Sequence, residues 1–133
     1  MDDLERMISL IQTPTGDEAT RRVAAQYRGT LVSRGTEAED RVISRIESGR
    51  ATNLPALFEV LAAFGTVRAA QTLFDRLVAG PEGVSHAAAA ALATHPTPHA
   101  RDALRRAAER TDIDPAVRTL VARLRENLGA ARE

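Results

Sequence analysis

Apolar residues along the chain fall in short runs separated by glycine, proline, threonine and aspartate. Within each run they recur at i, i+3, i+4 and i+7, the spacing that collects side chains on one face of a helix. Leu4, Met7, Ile8 and Ile11 predict an opening helix over 2–12, broken by Thr13-Pro14-Thr15-Gly16. Asp17 and Glu18 then stand at the positive end of a helix over 17–34, whose inward face is Val23, Ala24, Tyr27 and Leu31. Gly35 suits the positive φ that follows a helix, and Thr36-Glu37-Ala38-Glu39 reads as a capping box opening a helix over 37–48, with Val42, Ile43 and Ile46 inward. Asn53 caps a helix over 54–64 that carries Leu57, Phe58, Val60, Leu61 and Phe64, the most apolar element. A second Gly-Thr junction, Gly65-Thr66, precedes a helix facing in through Val67, Ala70, Leu73, Phe74 and Leu77 and ended by Gly80-Pro81-Glu82-Gly83. The alanine-rich stretch 86–93 forms the next helix. Thr97-Pro98 opens one that buries Ala100, Ala103, Leu104, Ala107 and Ala108 as far as Arg110. Asp114-Pro115 opens the last, over 115–128, which buries Val117, Leu120, Val121 and Leu124 and frays from Gly129.

These helices repeat. Leu31, Leu61, Leu92 and Leu124 follow one another at steps of 30, 31 and 32 residues, and Val42, Leu73 and Leu104 form a second ladder at 31. Ile11 lies 31 before Val42, so the opening helix is the second half of a truncated first repeat. A fixed period of this length is the mark of stacked helical units that bury their faces against one another.

Asp114-Pro115-x-Val117-Arg118, followed by Val121 and Leu124, resembles the bacterial HEAT-repeat signature, in which Asp-Pro caps a helix and Val and Leu face the core. The other copies depart from it: Glu82, Ser85 and His86 stand where the family prefers Asp, Val and Arg, and Leu54-Pro55 and Ala24-Ala25 are further away. The resemblance, over residues 17–128, implies an all-α fold: a short right-handed α-solenoid of about four antiparallel helix pairs with truncated terminal repeats. It also implies that the second helix of each pair lines a concave face.

Length and composition add limits. At 133 residues a single domain is expected. No cysteine is present, so disulfides, thiolate catalysis and Cys-based metal sites are excluded. No apolar run approaches the ~18 residues of a membrane span. The acidic start Met1-Asp2-Asp3-Leu4-Glu5 is unlike a secretory signal, so a cytoplasmic location is expected. Basic and acidic residues balance at 18 each, and every basic residue is arginine.

Candidate chemistry is sparse. His95, His99 and Asp102 have a spacing that could hold Zn²⁺ on one helix, but Pro96 and Pro98 separate them, so neither metal nor cofactor is expected. Asp2 with Arg6, Glu37 with Arg41, Asp102 with Arg106 and Arg105 with Glu109 are spaced as solvated i, i+4 pairs. Glu59 lies in the most apolar helix, on what the pattern makes its exposed side.

The outward positions of the second helices are Glu37, Arg41 and Arg45; Arg68, Gln71, Asp75 and Arg76; and His99, Asp102, Arg105 and Arg106. The period sets Arg45 beside Arg76 and Arg68 beside His99 on adjacent rungs. The expectation is a non-enzymatic adaptor, scaffold or immunity-type module that binds a protein partner through Arg41, Arg45, Arg68, Gln71, Asp75, Arg76, His99, Asp102, Arg105 and Arg106. Neither a membrane nor a small-molecule ligand is expected. Nucleic-acid backbone binding through the same arginines is the alternative, disfavoured by zero net charge and by only four aromatics, Tyr27, Phe58, Phe64 and Phe74. An enzyme is disfavoured because no carboxylate stands among exposed aromatics.

Overall fold

A computed structural model describes residues 3–12, 17–94 and 97–131, and all of its regular structure there is helical. The helices are α1 (Asp3–Ile11), α2 (Glu18–Ser33), α3 (Thr36–Glu47), α4 (Leu54–Phe64), α5 (Val67–Ala79), α6 (Glu82–Thr94), α7 (Pro98–Ala108) and α8 (Pro115–Ala131). The expected break at Thr13-Pro14-Thr15-Gly16, the partner Asp2 and the turn residues His95 and Pro96 lie outside the described residues.

Most helix starts are set by local side-chain chemistry. Carboxylate, amide or hydroxyl oxygens of Asp17, Asn53, Thr66 and Thr97 accept from the backbone N–H three residues on, at 2.7, 3.3, 3.0 and 3.1 Å. Asp114 accepts from the Ala116 N–H at 2.8 Å. Each satisfies an amide that has no partner within its helix. Gly35 and Gly65 have φ of 69° and 67°, so both Gly-Thr junctions turn through the left-handed region that glycine enters without steric cost.

Three local expectations are corrected. The capping box at Thr36 does not form: Gly35 is the N-cap with no side-chain hydrogen bond, and Glu39 turns inward. Gly80-Pro81 alone separates α5 from α6, which starts at Glu82 rather than near His86. The start is closed by the Ser85 N–H donating to the Pro81 carbonyl at 2.9 Å and by Ser85 Oγ donating to the Gly80 carbonyl at 3.1 Å. At the other end, α8 continues through Gly129 to Ala131.

Packing follows chain order. Each helix contacts its next and next-but-one neighbours, so α1, α3, α5 and α7 touch in succession and α2, α4, α6 and α8 do the same. We call these the odd and even rows. Among the described residues, α1 with α4 is the one substantial contact that spans further. Leu57, Phe58, Leu61, Leu73, Leu77, Leu92 and Leu104 are fully buried between the rows. The ladder Ile11, Val42, Leu73, Leu104 is buried throughout.

Departures from the expected core occur at the margins. Val23 is 43 % exposed: α2 buries only a narrow stripe through Ala24 and Leu31, and Val23 stands roughly 100° of helix rotation from Ala24. Val67, 62 % exposed, is the first residue of α5, a position also exposed in α3 (Thr36) and α7 (Pro98). Tyr27, Phe64, Ala108, Leu120 and Leu124 are half-buried against the core, Leu120 and Leu124 because α8, among the described residues, packs chiefly on α6 and α7.

Two buried polar groups tie the elements together. Gln12 Nε2 donates to the Ile8 carbonyl at 3.1 Å, and its Oε1 accepts from the Thr52 and Asn53 N–H groups at 2.8 and 3.0 Å. One amide thereby anchors the α3–α4 linker to the end of α1. Glu39 accepts from the Thr66 hydroxyl, the same oxygen that caps α5, so α3 holds the start of α5.

Candidate functional site

The ten residues expected to form a binding face lie on α3, α5 and α7, the helices of the odd row. Most of them are already engaged. Glu5 of α1 takes Arg41 at 3.3 Å and also Arg45, whose side chain is only 15 % exposed. Glu37, spaced to pair with Arg41, faces Arg34 at 3.9 Å. Arg68 of α5 donates to Asp40 of α3 and stands 3.9 Å from Glu39. Gln71 donates to Asp75 at 2.9 Å and accepts from Arg106 of α7 at 3.5 Å.

On α7, Asp102 is shared by Arg105 at 2.5 Å and by Arg106 Nε at 3.2 Å, and Arg105 also reaches Glu109 at 3.3 Å. Arg106 covers the Phe74 ring with its guanidinium carbon 4.6 Å from the centroid, a cation–π contact that shields the edge of the core. Arg106 Nε is buried and misaligned for a true hydrogen bond, so its link to Asp102 is mainly Coulombic.

Electrostatics follow from these bonds. The hydrogen bond from Arg105 holds the Asp102 carboxyl below its usual range, and the reciprocal bond raises Arg105. The bond to Asp40 likewise raises Arg68. All of these groups are exposed to solvent, so the pairs orient side chains more than they stabilise the fold.

Cross-helix bonds run diagonally, from Arg68 to Asp40 over 28 residues and from Arg106 to Gln71 over 35, rather than between residues 31 apart. His99 is exposed, His95 is outside the described residues, and Asp102 is committed to arginines. No group of three or more His, Asp or Glu able to hold a metal occurs among the described residues.

Arg76 differs from its neighbours. Half-buried, it makes no ion pair among the described residues, and with Glu47, Thr72 and Asp75 it lines a depression of about 180 Å³ between α3 and α5. Glu5, Glu39 and Asp40, three acidic members of the network, were not among the expected site residues. The period carries a signal for Glu39: 31 residues on stands the buried Ala70. Gln12 is legible in the same way, since Ile43 and Phe74 occupy the corresponding positions and are buried.

The even row has a different surface. One cleft of about 400 Å³ lies between the starts of α4 and α6, lined by Leu54, Pro55, Pro81, Val84 and Ala87 with Ala51, Thr52 and Gly83. A second, of about 290 Å³, lies between α2 and α4 and is lined by Arg28, Gly29, Val32, Glu59, Val60 and Ala63. Glu59 is exposed at its rim, as the pattern predicts.

Comparison with known proteins returns no match to a family model, a curated protein or a solved structure. No helix of the described residues is long and apolar enough to cross a membrane.

Proposed function

We propose that the chain is a non-catalytic, HEAT-like module, a short right-handed α-solenoid whose odd row binds a protein partner. Packing of each helix on its next and next-but-one neighbours supports the solenoid reading, since stacked repeats touch only adjacent units. The observation that carries the functional reading is the cross-linked face itself. Arg41, Arg45, Arg68, Arg105 and Arg106 are each held by an acid, so the face is a fixed mosaic of both signs around Arg76, which makes no ion pair among the described residues. A mosaic suits a protein surface with complementary charges, whereas a polyanion is drawn by a field of one sign.

Arg45 is a poor probe, because a reversed charge there would face Glu5 and disturb the α1–α3 contact. Arg76→Glu is the informative substitution. A partner captured from native cell extract by the wild type should be lost with Arg76→Glu and kept with Arg118→Glu on α8. Retention of every captured partner by Arg76→Glu would remove the odd row from the reading. Titration with labelled DNA and RNA over a range of salt tests the alternative: affinity falling log-linearly with a slope of several units would transfer the face to nucleic-acid binding.

A further inference from the structure

The cleft between α2 and α4 carries a charge arrangement that the odd-row reading does not use. Arg28 stands on its α2 wall and Glu59 on its α4 wall, and neither makes an ion pair among the described residues. Between them the floor is Gly29, Val32, Val60 and Ala63, all small or aliphatic. Space over Gly29 is open, with no heavy atom within 4 Å of where a Cβ would lie.

One positive and one negative group on opposite walls of an apolar cleft are self-complementary. A two-fold axis through the cleft sets Arg28 of each copy over Glu59 of the other, so one surface supplies both halves of the interface. We propose that this even-row cleft is the contact through which two copies of the chain associate. The aliphatic stem of each Arg28 lies on the floor of the facing cleft while its guanidinium reaches Glu59, a division of labour that arginine's long apolar stem allows. Planar, two-pronged donation to a carboxylate fixes the orientation of the two copies. The open space at Gly29 lets the facing backbone approach. Odd rows remain outward on both copies, so self-association leaves the proposed partner face free, and either reading can fail without the other.

Sedimentation velocity of the full chain from low micromolar to near-millimolar concentration tests this directly. The wild type should pass from monomer to dimer, and Arg28→Glu and Glu59→Arg should each weaken association by at least about tenfold through like-charge contacts. Combining both reversals restores the two ion pairs with opposite polarity and should recover the dimer. Gly29→Gln, which fits the monomer but fills the approach space, should abolish the dimer while leaving helix content intact. A wild type that stays monomeric throughout, or single reversals that leave a dimer unchanged, would overturn the proposal. So would a double reversal that fails to recover association while circular dichroism shows it folded.

Discussion

The odd and even rows treat charge in opposite ways. On the odd row, Glu5, Asp40, Gln71 and Asp102 meet arginines, in most cases across a helix–helix boundary, at 3.3 Å for Glu5 with Arg41 and 3.5 Å for Gln71 with Arg106. On the even row no ion pair among the described residues bridges two helices, and Arg22 with Glu18 at 2.9 Å lies within α2. The difference lies in side-chain length. Arginines at the outward positions of α3, α5 and α7 span the gap to the next helix, whereas Gly29, Ala63 and Ala87 leave open clefts between α2, α4 and α6. One row has spent its charges on internal contacts; the other keeps Arg28 and Glu59 unspent. An arginine-rich face is therefore not by itself an available face.

The largest loss of stability is expected in the core beneath both rows. Leu61 is fully buried on α4, which packs against helices of each row, so Leu61→Ala should cost about 2 to 5 kcal/mol. Leu124, half-buried on α8, should cost less, and urea denaturation in which Leu124→Ala is the more damaging would invert the packing order described here.

Next in size is the buried amide that joins α1 to the α3–α4 linker. Gln12→Ala leaves the Thr52 and Asn53 N–H groups without their acceptor and should cost about 1 to 3 kcal/mol. Hydrogen exchange should quicken at those two amides before any other; unchanged protection there would mean the bonds are not made.

Thr66 and Thr97 separate a plain cap from one built into the odd-row network. Both accept from an N–H three residues on, but Thr66 also donates to the buried Glu39. Replacing a cap residue costs about 0.5 to 2 kcal/mol, and Thr66→Val should sit above Thr97→Val within that range. Equal losses in thermal melts would show that the Glu39 bond adds nothing.

On the even row, Gly29→Ala should raise stability by about 0.5 to 1 kcal/mol, because the site is helical, unobstructed and entropically costly to order as glycine. A loss, measured at concentrations where the chain is monomeric, would mean that the cleft is closed in solution.

The smallest expected effect is acid sensitivity of the odd row. Asp102 is held below the usual carboxylate range by its bond from Arg105, so the folded state favours the ionised form. That contribution is complete above the ordinary aspartate pKa and disappears as pH falls through the lowered folded value. Asp102→Asn should flatten the acid limb of the stability curve slightly, and Glu59→Gln should leave neutral-pH stability unchanged, since Glu59 is exposed and makes no ion pair among the described residues. A steeper acid limb in Asp102→Asn would reverse the assigned sign.

Sequence alone determined the helices, because what makes them is local. A Thr, Asn or Asp cap acts two or three residues away, an apolar stripe is read within seven, and Gly35 and Gly65 fix their own turns; the starts at Leu54, Val67, Pro98 and Pro115 were legible for this reason. The spacing of about 31 residues also pointed to Leu31, Leu61, Leu73, Leu92 and Leu104, all of them buried, while Leu124 at the end of the row is half-buried. Tertiary structure decided the surface. Arg41 had Glu37 one turn away yet bonds Glu5, 36 residues distant, and Glu39 left its expected cap to receive Thr66, 27 residues on. Long polar side chains choose among whatever acceptors packing brings within reach, and the energies separating those choices are small. No local pattern records which partner is nearest, so the openness of the cleft at Arg28 and Glu59, and the engagement of Arg41, Arg45, Arg68, Arg105 and Arg106, emerged only once the helices were set side by side.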